Sequence, residues 1–256
     1  MATTMTFAPE ALRNRAVIAL RGDGILPFLH NILTCSVESL IQGQIAYGAL
    51  LSPQGKILHD VFVHQVGDGV MIDCEGTARD DLIAKLKLYR LRAKFEIAAI
   101  DEVVVVAGDG TAHDPRVAAL GKRGLFPKGM HAAGVRYDDA RYAAGIADSA
   151  EIGCNRLFPH EANFDLLGAV DFKKGCYIGQ EVVSRMQHRG TARSRIMPVT
   201  FQDDQSTDEI RVADVLIGEV LGRRGKLALA LVRLDRLADV GDVPGISIAR
   251  PDWMTA

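Results

Sequence analysis

What the chain lacks narrows its class before any motif is read. It has no long apolar run, since stretches such as Leu227–Val232 fall far short of the roughly 20 residues a membrane helix needs. The five apolar residues Ala16–Leu20 behind Arg13 and Arg15 do not make a signal-peptide core. Cysteine is sparse: Cys35, Cys74, Cys154 and Cys176 are scattered over 256 residues, with no CxxC pair and no zinc-finger spacing. Neither a disulfide framework nor a structural metal is therefore expected, and three of the four thiols are expected to be buried as small apolar residues. Charge of one sign is also lacking. Thirty Lys and Arg stand against thirty-two Asp and Glu, a net charge of −2, which gives no reason to expect nucleic-acid coating or a polybasic membrane anchor. Gly22-x-Gly24 lacks the third Gly and following acid of a dinucleotide fingerprint, so it reads as a tight turn. The expectation is a soluble, cytoplasmic, monomeric protein with no nucleic-acid or membrane partner.

What is present suits a globular protein. Apolar residues make up 48% and charged residues 24%. At roughly 150 residues per domain, the length allows one large domain or two modest ones. Ala16–Leu20 reads as a buried strand, and Leu26, Leu29, Ile32 and Leu33 then recur at helical spacing with Pro27 in the first turn. Ile45–Leu51 and Lys56–Val63 read as strands joined at Ser52–Gly55, where Pro fixes φ and Gly permits a positive φ. A turn at Gly67–Gly69 leads into a short strand, Val70–Ile72. Thr77 is the N-cap candidate for a helix through Tyr89, and strands Lys94–Ile100 and Glu102–Ala107 follow. The order β-α-β-β-α-β predicts a ferredoxin-like α+β layer.

Pro115–Leu120 and Asp138–Ala147 predict helices. Beyond Arg195, the short runs Met197–Phe201, Val212–Val220, Lys226–Leu234 and Gly245–Arg250 predict a small β-barrel. The expected division is a body over residues 1–192, itself split near 108–130, and a barrel over 193–256.

The densest chemistry lies in Asp171–Arg195. Lys173, Lys174, Arg185, Arg189, Arg193 and Arg195 face only Asp171 and Glu181 there. Such an excess can receive an anionic ligand, or simply form a solvated charged helix. Gly175 and Gly179 bracket Cys176-Tyr177-Ile178, and Gln180 and Glu181 open a helix expected to run through Met186. Nearby cations and a helix N-terminus favour the thiolate of Cys176. On spacing alone it reads equally as a reactive thiol or as a small hydrophobe packed beside Tyr177. Upstream, Arg156, Glu161 and Asn163 punctuate an apolar path. A carboxylate beside an amide can recognise the donor edge of an aminopyrimidine such as a pterin, or it can serve as a cap or ion pair.

The octapeptide Lys174-Gly175-Cys176-Tyr177-Ile178-Gly179-Gln180-Glu181 resembles the signature of the folate-binding YgfZ family, whose mitochondrial counterparts serve iron–sulfur protein maturation. Arg156-x-x-Pro159-x-Glu161-x-Asn163 precedes it at the family's usual interval, and Arg189-Gly190 and Arg195 follow. Ile217–Val220 and Ala228–Arg233 resemble the C-terminal domain of T-protein, the aminomethyltransferase of glycine cleavage, and Leu51–Val63 resembles its N-terminal hairpin. The resemblance implies a T-protein-like body of ferredoxin-like layers plus a small barrel around a central hole, with tetrahydrofolate or a one-carbon derivative bound in it.

The resemblance also implies roles. Cys176 matches the family's signature cysteine, a reactive thiol, and Asp60 remains as the acid or base where T-protein carries paired aspartates, His59 standing at the first position. Folate contacts fall to Glu161 and Asn163 with Arg156, to Lys174, Gly175, Tyr177, Gly179, Gln180 and Glu181 of the signature, and to Arg185 and Arg189; no metal ligand is assigned. The function implied is a folate-binding accessory protein for iron–sulfur cluster assembly or repair, with client or assembly proteins as partners. The alternatives are a folate-dependent aminomethyltransferase or demethylase, and a non-catalytic folate-binding module.

Overall fold

The structure, a computed structural model, describes residues 8–67, 69–190, 192–203, 207–241 and 243–254. Strands β1 (Glu10–Ala11) and β2 (Arg15–Arg21) precede helix α1 (Ile25–Ile32). A meander of β3 (Ile45–Leu51), β4 (Ile57–Val66) and β5 (Gly69–Glu75) then leads to helix α2 (Arg79–Arg90) and strand β6 (Glu96–Ile100). Strands β2 to β6 make one antiparallel sheet in the order β3-β4-β5-β2-β6. Strand alternation decides its two faces. Ile18, Leu20, Val61, Val63, Val70 and Ile72 pack under α1 and α2, while Val17, Phe62 and Asp73 point the other way, towards the middle of the molecule.

Two local readings change. The strand expected at Val70–Ile72 runs on to Glu75 and lies inside the sheet between β4 and β2; Asp73, a charge that ends the apolar run in the sequence, is buried within it. The expected Gly67–Gly69 turn includes Asp68, which lies outside the described residues. Thr77 is not the N-cap of α2. It sits in a single 3-10 turn, Gly76–Ala78, and Asp80 and Asp81 in the first turn of the helix meet its positive end.

A second layer pairs β7 (Val103–His113) with β8 (Lys122–Pro127), and β1 lies on the far side of β7. Helices α3 (Arg136–Ala144), α4 (Ser149–Ile152) and α5 (Gln180–Arg189) follow, and the helix expected at Pro115–Leu120 reduces to a 3-10 turn, Ala118–Leu120. The last sheet holds β9 (Ser194–Phe201), β10 (Glu209–Val212), β11 (Val215–Arg224) and β12 (Leu227–Arg233). After the short helix α6 (Leu234–Val240), β13 (Ile246–Ile248) closes it in the order β10-β11-β12-β9-β13. The run expected as one strand at Val212–Val220 is two strands with a reversal at Ala213, whose φ is +50°.

Alternation again sorts the faces of this sheet. Met197, Val199, Phe201, Ala228, Ala230 and Val232 build its own core, whereas Ile196 and Leu229 pack into the body. Strand β11 approaches the body so closely that a Cβ on Gly222 would collide with the Tyr142 hydroxyl, which would then have to shift.

Candidate functional site

The signature octapeptide forms the loop before α5, and most of it is engaged inward. Lys174 Nζ donates to the carbonyls of Leu33 (2.6 Å), Cys35 (3.1 Å) and His30 at the end of α1. Burial lowers its pKa from the ordinary lysine value. Lys174 also lies 5.1 Å from the centre of the Tyr177 ring. Tyr177 is buried in the core between body and barrel, and that burial pushes its hydroxyl up to about 12.

Gly179 adopts φ +79° as the N-cap of α5, and a Cβ there would lie 2.6 Å from the Ser52 carbonyl. Gly55 across the gap is equally constrained, facing Val182 at 2.9 Å, so the β3–β4 turn and the start of α5 interlock through two glycines. Gly175 meets nothing within 4 Å and is not left-handed. Cys176 is exposed, with no hydrogen bond or ion pair among the described residues. Gln180 opens α5, its N–H donating to the Tyr177 carbonyl at 3.2 Å.

The charges of the segment divide. Arg185 pairs with Glu181 at 2.7 Å on the exposed face of α5, one turn apart. Arg195 grips Asp165 with two bonds of 2.7 and 2.8 Å and also reaches the His160 carbonyl. Lys173, Arg189 and Arg193 are exposed without an ion pair among the described residues.

Arg156, Glu161 and Asn163 lie where the body meets the barrel. Asn163 is buried with φ +63°. Its Nδ2 donates to the Ile196 carbonyl (2.8 Å), and its Oδ1 accepts from Arg195 (3.2 Å), so both ends of the amide hold strand β9. The Glu161 carbonyl accepts from Ile196 N–H (2.8 Å), and its carboxylate Oε2 accepts from Phe158 N–H (2.9 Å), which leaves Oε1 available. Arg156 reaches across to Glu219 of β11 at 2.7 Å.

Asp60 lies apart from the signature loop, on the inner face of β4. Tyr47 donates to it at 3.3 Å, and the Ser149 hydroxyl donates to its other oxygen. It lines a cleft of about 270 Å3 with His59, Glu75, Thr77, Ser149 and Cys154; Cys176 is not part of that lining. Burial raises its pKa, with Arg15 opposing and Asp148 adding to the rise. The neighbouring His59 binds Asp81 at 2.8 Å, and burial lowers its pKa. Glu75 is raised by burial too, and its Oε2 is buried without a hydrogen-bond partner. Cys154 stands exposed at this cleft. Only Cys35 and Cys74 are buried, which corrects the expectation of three buried thiols; burial pushes both up to about 12.

Behind Asp60 lies a cluster that the sequence reading did not single out. Arg15 and Arg123 converge on Asp73, with Nε of Arg15 at 2.6 Å and Nη2 of Arg123 at 2.6 Å. Arg116 grips Asp114 with bonds of 3.0 and 2.8 Å, and Asp148 lies 3.3 Å from Arg15 and 3.7 Å from Arg116. The Phe62 ring carries the guanidinium carbons of Arg123, Arg116 and Arg15 at 3.9, 4.8 and 5.4 Å. Burial alone would push Asp73 up, but Arg123 and Arg15 outweigh it and hold its carboxyl far below the ordinary value. The one signal in the sequence was a lone charge within Val-Met-Ile-Asp-Cys, a pattern otherwise fit for a buried strand.

Comparison with known proteins places this geometry among relatives. Residues 193–256 match the family described as CAF17, C-terminal beta-barrel domain. The chain is 33% identical over 230 residues to a mitochondrial iron–sulfur cluster assembly factor IBA57 homolog of Pyricularia oryzae, covering 78% of this chain. It spans only 59% of that relative's own length. With mitochondrial IBA57 of Homo sapiens the identity is 26%, over 94% of this chain and 84% of the human one. The crystal structure of glycine cleavage system aminomethyltransferase T from Bartonella henselae aligns with a TM-score of 0.73 at 16% identity, over 96% of this chain and 85% of that one. The fold is therefore T-protein-like, with a C-terminal β-barrel domain, as the signature implied. The compartment is corrected. The relatives named here are mitochondrial, which overturns the expectation of a cytoplasmic protein. Short apolar runs and a balanced charge separate chains with a spanning helix from chains without one; they carry no address among aqueous compartments. Among the described residues, no helix is long and apolar enough to cross a membrane.

Proposed function

We propose that this chain, a relative of the CAF17 and IBA57 proteins with a T-protein-like fold, is a tetrahydrofolate-binding accessory protein for iron–sulfur cluster assembly or repair. The observation that carries the reading is how the signature is used. Lys174, Tyr177 and Gly179 are each engaged within the fold, and Cys176 alone among these conspicuous residues faces outward with no structural task. Iron–sulfur clusters are held by cysteine thiolates, usually about four. Among the described residues, no three His, Cys, Asp or Glu are grouped to hold a metal. A cluster is then cargo: Cys176 offers one thiolate, and a client or assembly protein supplies the rest.

Folate fits a cleft that Cys176 does not line. The cleft at Asp60 has apolar walls from Ile57, Leu58 and Ile152, and it presents two carboxyl groups, one oxygen of which is unpartnered. Such acceptors suit the donor edges of an amino-heterocycle. Asn155 N–H donates to the Ile57 carbonyl and Ile57 N–H to the Leu157 carbonyl, so the segment bearing Glu161 starts at the rim of this cleft. Glu161 meets the pterin with its free oxygen, and the Asp60 carboxyl, its pKa raised by burial, lines the same cleft. The glutamate tail meets Lys173, Arg185 and Arg189. Asn163 and Lys174, whose polar atoms are engaged within the chain, contribute by holding the frame. When bound, tetrahydrofolate supplies a carrier for a one-carbon unit.

One observation favours a second reading, a folate-dependent aminomethyltransferase or demethylase: the raised carboxyl of Asp60 faces a cleft, as a general acid requires. Deletion of the gene separates the two. The first reading predicts reduced activity across several iron–sulfur enzymes with glycine cleavage spared. Loss of turnover of an aminomethyl or N-methyl donor, with iron–sulfur enzymes normal, supports the second.

A further inference from the structure

We infer that Lys174 is a positioning residue that straps the Cys176 loop to the C-terminal end of helix α1, and that it is not a ligand for an anion. The inference deepens the reading of Cys176 given above and rests on it. The last carbonyls of a helix have no partner within the helix, and a cation placed there satisfies them and meets the negative end of the dipole. An ammonium has three N–H donors. Those of Lys174 meet three carbonyls, of His30, Leu33 and Cys35, so none remains for a carboxylate or phosphate.

Two further bonds stitch the same two segments together. The Thr34 hydroxyl donates to the Ala169 carbonyl (2.6 Å), and Asp171 N–H donates to the Thr34 carbonyl (3.0 Å). Thr34 is itself fixed to β3, its hydroxyl accepting from Ala49 N–H and its own N–H donating to the Ala49 carbonyl, both at 2.9 Å. On the other side of the thiol, Tyr177 is buried and Ile178 packs against the core under α1. The chain is therefore anchored at Lys174 and again at Tyr177, and only Gly175 and Cys176 span the gap. A span of two residues leaves the thiol little freedom, so its position is set by the anchors and ultimately by the end of α1.

The test uses the full chain with Lys174→Met, which keeps the apolar stem, and Lys174→Arg, which keeps donors on a long stem. Native-state hydrogen exchange is read at Leu33–Cys35 and at Gly175–Tyr177, together with the alkylation rate of Cys35. Affinities for mono- and triglutamyl tetrahydrofolate are measured alongside. For Lys174→Met we expect exchange to quicken in both segments together by about tenfold or more, and Cys35 to be alkylated faster. The ratio of the two folate affinities should be unchanged, and Lys174→Arg should keep exchange slow. Should Lys174→Met fail to fold, Thr34→Val removes the hydroxyl's bonds to Ala169 and Ala49 without touching the lysine and should loosen the same two segments. Unchanged exchange at Leu33–Cys35, or a lost preference for the triglutamyl form, overturns the strap. Normal iron–sulfur enzyme activity with Cys176→Ser would instead overturn the reading of the thiol and leave the exchange result standing.

Discussion

The centre of the molecule and the loop that carries Cys176 both concentrate charge, and they use it in opposite ways. At the centre, Arg15, Arg116 and Arg123 are almost wholly buried, and each meets a carboxylate of Asp73, Asp114 or Asp148. From the loop to the start of β9, Lys173, Arg189 and Arg193 are left open, and the inward-turned Lys174 meets neutral carbonyls in place of acids. Charge density is therefore a poor guide to function in this chain. The better guide is a polar or nucleophilic group that the fold has not already engaged. By that measure the candidates are Cys176, one oxygen of Glu161, and the Glu75 oxygen in the cleft beside Asp60.

The largest effect should come from breaking the centre. Asp73→Ala strands two buried guanidinium groups, and removing one partner from such a pair typically costs about 3–5 kcal/mol. Urea denaturation should show a loss of that order, and a loss below about 1 kcal/mol would mean that the centre is not a paired network. Next comes Glu161→Ala. A hydrogen bond to a charged group contributes about 1.5–3 kcal/mol, so affinity for tetrahydrofolate should fall roughly 10- to 150-fold by calorimetry; unchanged affinity removes Glu161 from the site.

The two central aspartates should also differ in sign with pH. Asp73 is held below its ordinary value, so the stability it contributes is present at neutral pH and is lost as pH falls below about 4. Asp60 is raised, so its contribution is present in acid and is lost as pH climbs from its ordinary value of 3.8 through its raised one. Asp60→Asn should therefore gain stability relative to the native chain across that window, as pH-dependent melting would reveal. A constant difference would show that Asp60 titrates normally. The smallest effect belongs to the surface: Glu181→Ala removes a solvent-exposed pair with Arg185 and should change stability by about 0.5 kcal/mol or less.

The pattern of what was legible follows the same division. Strands and helices of the first sheet could be read because their apolar periods are plain, as in Ile18–Leu20 against α1. The barrel could be read from its short runs and turns. The octapeptide announced both the fold and the exposed thiol. Missed were features that depend on residues far apart in sequence. Arg15, Asp73, Arg123 and Asp148 become one cluster only once β2, β5, β8 and the start of α4 meet. Lys174 looked like part of a basic patch because the carbonyls it meets lie about 140 residues upstream. Cys154 looked like a buried hydrophobe because nothing local shows that its turn borders a cleft.

The most direct test of the account is complementation by Cys176→Ser in cells that lack the native gene. One sulfur-to-oxygen change at an exposed position should leave folding intact. The account predicts a folded, folate-binding protein that fails to restore the activity of iron–sulfur enzymes. Full restoration by the serine variant would show the thiol to be dispensable and would contradict it.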